Sequence, residues 1–286
     1  MTALPPTHCQ TVDKALQEWR QGDVILKPSF FMSHLAVAGS PLTPAAIEAA
    51  AELSGGDPQD LLSVESEVAG FVVLTQTCDL VRECKMRPYV QLAPLREVTQ
   101  EELEQIQRCE RPAFAYLPAL ADRRLIADLD RALTVEKAVL VPLERVSALQ
   151  TDAEQVAFGR ALARNRARFA FPTPFNEAMS AFQKRMKSRA GKNSDEGRHV
   201  ECLSEIRVVA SPSWEAEKVS VTIWLIKHSD PPNPQWTHWL DDWAKLVDQT
   251  GAYTLEGPLR LRFLDDMRAS EYVASQPLDL DHLSEG

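Results

Sequence analysis

The stretch Gly70-Phe71-Val72-Val73-Leu74-Thr75-Gln76-Thr77-Cys78-Asp79-Leu80, followed after a polar loop by Tyr89-Val90-Gln91-Leu92-Ala93-Pro94-Leu95, decides how the rest of the chain is read. Phe71 to Leu74 is a short apolar run, bounded by glycine on one side and polar turn formers on the other, which is the signature of a buried strand. Tyr89 to Leu95 reads as a second strand, near enough in sequence to pair antiparallel with the first. Where the first strand ends, Thr75, Gln76, Thr77, Cys78 and Asp79 set two hydroxyls, an amide, a thiol and a carboxylate at the handover from scaffold to loop, a common place for sites. Gln76, Thr77, Cys78 and Asp79 are therefore the candidate catalytic set. A nucleophilic cysteine needs a base, usually histidine, to hold its thiolate. None of His8, His34, His199, His228, His238 and His282 carries a sequence signature with Cys78. The plainer reading makes Cys78 a small buried apolar residue and Asp79 a turn cap.

Upstream, Val12 to Trp19 places Val12, Leu16 and Trp19 on one side of a helix, and Gly22-Asp23 turns the chain into the strand Val24-Ile25-Leu26. Thr43 and Pro44 supply the N-cap and first position of an alanine-rich helix ending near Leu53. Phe30–Ser40 and Asp60–Val68 show no decisive period. Downstream, Thr99-x-x-Glu102 is a capping box opening a helix to about Cys109. Ala113–Leu117, Leu125–Asp130 and Ala138–Pro142 read as short strands, before helices from about Asp152 to Arg168 and from Asn176 to Arg189. The polar stretch Gly191–Gly197 reads as a linker. Leu203–Ala210 and Val219–Ile226 then alternate as a hairpin, and Pro234–Asp248 sets Trp236, Trp239 and Trp243 at helical spacing to cover it, so the tryptophans are expected in a core. The expected fold is α+β: a β-rich, SH3-like barrel-type domain over residues 1–150, a basic helical connector over 151–192, and a C-terminal antiparallel sheet packed on a helix over 193–286.

With 286 residues, 44% apolar and 25% charged, the composition is that of an ordinary soluble globular protein. No apolar run approaches the roughly 18 residues of a membrane span, and the N-terminus lacks a basic segment followed by an apolar one. No membrane partner and a cytoplasmic location are the expectation. Five cysteines at irregular spacing read as reduced thiols. Cys78-x5-Cys84 is not a zinc spacing, and neither metal nor cofactor is expected.

The net charge of −10 argues against wholesale attraction to phosphate. Between Arg160 and Lys192, however, nine basic residues face only Glu177. Arg160, Arg164 and Arg168 recur every four residues on one helix face, with Arg166 off it, and Lys184, Arg185, Lys187 and Arg189 crowd the end of the next helix. These eight form a candidate binding set for RNA or DNA, with Phe169, Phe171 and Phe175 close by for base stacking. Two other readings stay open: basic faces that pair with the acidic rest of the chain, or a surface that docks an acidic protein partner.

The order Gly22-Asp23-Val24, then Gly70 to Leu74, then Tyr89 to Leu95, then Leu133-Thr134-Val135-Glu136-Lys137-Ala138-Val139-Leu140 with Arg145 following, resembles the MazF/PemK-type growth-inhibitor family over roughly residues 20–150. The resemblance implies an SH3-like barrel and a toxin–antitoxin or phage-defence setting, in which active members are endoribonucleases. The chain departs from the family's pattern at two positions. Val68 and Ala69 stand where the family places an arginine, and Pro94 and Leu95 where it places a catalytic Thr or Ser. The resemblance therefore implies lost or altered ribonuclease chemistry, because those slots are apolar. A non-catalytic interaction subunit and a cysteine-dependent hydrolase are the alternatives.

Overall fold

The computed structural model describes residues 6–53, 56–108, 111–167 and 169–278, with side chains described except at 6–8, 30, 32 and 33. Arg168, one of the eight candidate basic residues, lies outside the described residues, as does the expected helix end at Cys109. The chain divides into two compact units, Met1–Ala167 and Arg168–Gly286. The segment expected as a separate connector is thus shared, its first helix belonging to the first unit and its second to the other. No helix among the described residues is long and apolar enough to cross a membrane.

The first unit runs α1 (Pro6–Ala15), β1 (Val24–Ile25), β2 (Ser29–Val37), α2 (Pro44–Glu52), β3 (Leu61–Val68), β4 (Phe71–Val73), α3 (Thr77–Leu80), β5 (Tyr89–Glu97), α4 (Gln100–Gln107), β6 (Phe114–Ala115), β7 (Leu125–Asp128), β8 (Leu133–Glu136) and α5 (Asp152–Ala167). β5 is its hub. β4 pairs antiparallel with Leu92–Pro94, β8 with Tyr89–Leu92, and β7 with the last three residues. Side chains of β5 alternate between two cores, as a strand's period of two requires. Val90 and Leu92 join Val73 and Leu80 beneath Val12, Leu16 and Trp19 from α1 and the chain just after it. Ala93 and Leu95 join Val24 and Val72 beneath Phe158 and Ala161 of α5. A sheet covered on both faces explains why its strands read as continuous apolar runs.

Gly70 is the point where the sequence leaves no choice. Its φ is +148°, and a Cβ there would lie 1.9 Å from the carbonyl oxygen of Ile25, so β1 and β4 can meet only across a glycine. The Gly22-Asp23 turn is held to β4 from the other end. Gly22 N–H donates to the Val73 carbonyl at 2.9 Å, and Val73 N–H donates to the Asp23 carbonyl at 2.8 Å.

Several expectations are corrected. The strands follow an open path, β1-β4-β5-β7-β6 with β8 beside β5, and no closed barrel forms among the described strands. Ala138–Pro142 is not a strand: Lys137–Leu140 is a 3-10 turn. The reason is length, since Glu136 already pairs with Tyr89, the first residue of β5, and nothing remains to pair beyond it. The two segments without a decisive period become β2 and β3, an antiparallel pair running from Ser29 opposite Val68 to Val37 opposite Leu61.

The second unit runs α6 (Thr173–Arg189), α7 (Asp195–Glu201), β9 (Leu203–Ser211), β10 (Val219–Lys227), α8 (Trp236–Ala244), β11 (Tyr253–Leu255), β12 (Arg260–Phe263), α9 (Ala269–Ala274) and β13 (Gln276–Pro277). The β9–β10 hairpin is antiparallel as expected, yet the sheet is mixed, because β11 and β12 both run parallel to β10. α8 is the crossover that parallel pairing demands. The expected linker ends sooner than read: Ser194 accepts the N–H of Gly197 at 3.0 Å and caps α7. Phe175, Met179, Phe182 and Met186 of α6, with Trp236 and Trp243 of α8, cover Val219, Val221, Ile223 and Leu225 of β10. The tryptophan stripe is core.

Candidate functional site

The polar turn after β4 is built before it is reactive. Leu74 N–H donates to the Gln91 carbonyl, and the Thr75 hydroxyl accepts the Gln91 N–H at 2.7 Å, so the turn is stitched to β5. The Thr77 hydroxyl accepts the main-chain N–H of Gln21 at 3.1 Å, and the Gln21 side-chain amide donates to the Leu74 carbonyl at 2.7 Å. The Asp79 carboxylate lies 3.3 Å from Arg82 Nη1 and 3.9 Å from Arg87 Nε. Both hydroxyls and the carboxylate are therefore engaged in holding loops. Cys78 is exposed, which corrects the reading of a buried thiol, and its Sγ meets the Oε1 of Gln76 at 3.7 Å. An amide oxygen is a neutral acceptor and takes no proton from a thiol. None of the described histidines hydrogen-bonds Cys78.

Lys137 sits behind this turn with 1% of its surface exposed. Its ammonium donates to the carbonyls of Asp79 and Arg82, at 3.0 and 2.6 Å, closing the C-terminal end of α3. Burial pushes its pKa down, against the favourable charges of Asp13 and Asp79. Beside it, burial raises the Cys84 thiol to about 12, helped by its contact with the Cys9 thiol and by the Asp13 carboxylate. Asp23 is likewise buried, and burial raises its carboxyl in spite of the Arg20 N–H at 2.6 Å and Arg145 at 3.2 Å. Asp23 and Lys137 went unmarked in the sequence.

Two cavities of the first unit gather the remaining chemistry. One, of about 360 Å³, is lined by Glu67, Val68, Ala69, Leu95, Arg96 and Arg131. Its charged lining is mixed, with Glu67 and Glu97 beside Arg96 and Arg131. Arg131 Nε donates to Asp128 at 2.8 Å, whereas Arg96 has a carboxylate, Glu102, only at 3.9 Å and lies over the Phe114 ring at 5.5 Å. The second cavity, of about 280 Å³, lies on the same Phe114, with Ile106, Tyr116, Ala157, Ala161 and Arg164.

The basic set separates by unit. On α5, Arg160 and Arg166 are exposed, and Arg160 and Arg164 share a face. None of Arg160, Arg164 and Arg166 has an acidic partner among the described residues. On α6, Arg185 and Arg189 both approach the buried Glu196, Nε to carboxylate oxygen at 2.8 Å each. Trp243 donates its indole N–H to the same carboxylate at 3.0 Å. Burial alone would raise the Glu196 pKa, but these donors and charges outweigh it and hold the carboxyl below its ordinary value. Lys184 is exposed and Lys187 half-buried, and neither has an acidic partner among the described residues.

Comparison of the chain with protein-family models, with curated proteins and with solved structures gives no match. The reading of function rests on the geometry.

Proposed function

We propose that the first unit binds RNA or DNA through the basic face of α5, without ordinary ribonuclease chemistry. The observation that carries this reading is the absence of acidic partners for Arg160, Arg164 and Arg166 among the described residues, in a chain whose net charge is −10. Internal neutralisation is the arrangement at Arg185 and Arg189, and it is what α5 lacks. Unpaired cations are the element that exchanges condensed counterions for phosphate contacts. In this reading the unit is a toxin or defence module of the growth-inhibitor kind, present in the cytoplasm, whose apolar slots at Val68, Ala69 and Leu95 leave binding without the familiar cleavage.

The test is fluorescence anisotropy with labelled single-stranded and duplex oligonucleotides at about 50 and about 200 mM salt. Binding at low salt that weakens steeply at high salt, and falls at least about tenfold in Arg160→Glu/Arg166→Glu, supports the reading. Both residues are exposed, so the variant should remain folded. Unchanged affinity in that variant removes the proposal.

A second reading, a protein-interaction subunit, draws on one observation. Leu35, Val37 and Leu61 lie on one face of the β2–β3 hairpin, and each is more than 40% exposed. Apolar cross-strand pairs facing water are how a docking strand is written.

A further inference from the structure

The structure assigns the 280 Å³ cavity between α4 and α5 to a small amphipathic acid, an aromatic or branched apolar body carrying one carboxylate. This inference does not depend on nucleic-acid binding. The size is at the lower end of small-molecule pockets and suits roughly a dozen non-hydrogen atoms. Ala157 and Ala161 on α5 keep that wall low, while Ile106 and the Phe114 ring supply apolar surface opposite. An apolar body is what such walls take from water.

The polar groups give the sign of the ligand. Arg164 lines the cavity, and its Nε is shut away from water with no acceptor among the described residues. A buried guanidinium N–H without an acceptor is costly, by roughly 1–3 kcal/mol, and a carboxylate is its best-matched partner. Tyr116 also lines the cavity, and its hydroxyl, with no hydrogen-bond partner among the described residues, is available as a second donor. Glu154, the one carboxylate among the described residues of the wall, accepts with its Oε2 the N–H groups of Gln150 and Thr151 just before α5. No ion pair joins Glu154 to Arg164. An apolar chamber with an unanswered cation and a hydroxyl selects an apolar acid over a neutral or cationic molecule.

Isothermal titration of the full chain with 2-naphthoate, 4-phenylbutyrate and the uncharged 2-naphthamide tests this. The expected result is saturable binding of at least one acid, at least about tenfold weaker binding of the amide, and a comparable loss in Arg164→Gln. Ala157→Leu fills the groove from a partly water-facing helix position, so it should abolish acid binding while leaving the melting temperature near that of the wild type. Arg164→Gln gives an independent reading if Ala157→Leu fails to fold. Absence of saturable binding of either acid up to about 10 mM overturns the assignment. So does unchanged acid binding in Arg164→Gln or in folded Ala157→Leu. Amide binding as tight as acid binding makes the groove a slot for a neutral aromatic group, a nucleobase or a partner's side chain, and overturns it as well.

Discussion

Lys137 Nζ lies 3.0 Å from the main-chain oxygen of Asp79 and donates to it, from a position with 1% exposure. With the second bond to Arg82, this one ammonium closes the end of α3 and fixes the loop that carries Cys78. Lys137→Met keeps the volume and removes the donor, leaving two carbonyls with no partner. We expect a loss of about 2–4 kcal/mol in urea unfolding and faster tryptic cleavage at Arg82 and Lys85. A midpoint within error of the wild type would show that water replaces the ammonium.

Gly70→Ala is expected to cost at least about 2 kcal/mol, since it combines a left-handed φ with a collision against main chain that cannot swing away. Gly159→Ala, on α5 where a Cβ meets nothing within 4 Å, is the control and should stabilise slightly, because alanine is the better helix former. Equal melting temperatures for the two variants would contradict the β1–β4 geometry.

The thiols should differ sharply in reactivity. Cys78 is exposed, whereas Cys9 and Cys202 are buried and the Cys84 thiol is raised to about 12. Iodoacetamide at about pH 8, read by peptide mass mapping, should label Cys78 first and Cys84 at least about tenfold more slowly, because the thiolate is the reacting form. Labelling of Cys84 at the rate of Cys78 would sink this ranking.

The Glu196 carboxyl titrates below its ordinary value in the folded protein. The unfolded chain therefore binds this proton first as pH falls. The stabilisation is complete above the ordinary value of 4.5 and is lost as pH drops through the lower, folded value. Glu196→Gln should cost about 1–3 kcal/mol at neutral pH and flatten the acid limb of the stability curve. An acid limb as steep as the wild type's would assign it to other carboxylates.

The sequence showed elements better than their partners. The β4 run, the capping box at Thr99, the α6 helix and the tryptophan stripe each obey a local rule, and the structure contains them. What it did not show depends on distant residues. Ala138–Pro142 looks like a strand by composition, but only the first residue of β5 tells where pairing ends. The parallel run of β11 and β12 depends on α8 acting as a crossover, which no local pattern announces. At the site, the charge on Arg164 was legible and its surroundings were not, because Phe114, Tyr116 and Ile106 reach it from elements more than forty positions upstream. Thr77 and Asp79 looked reactive for the same reason they are useful in turns: short polar side chains satisfy nearby main chain.

Because Tyr89–Glu97 takes β8 along its first half, β7 along its end and β4 on its opposite side, synthesis order bears on how this unit matures. A ribosome that has released β4 and β5 has yet to deliver Leu125–Glu136, and Val146, which pairs with Val24, comes later still. For that interval one side of a largely apolar strand is uncovered in the nascent chain. Chaperone protection during translation, and sensitivity of yield to anything that slows elongation between codons 97 and 146, follow from a single ribbon with three clients.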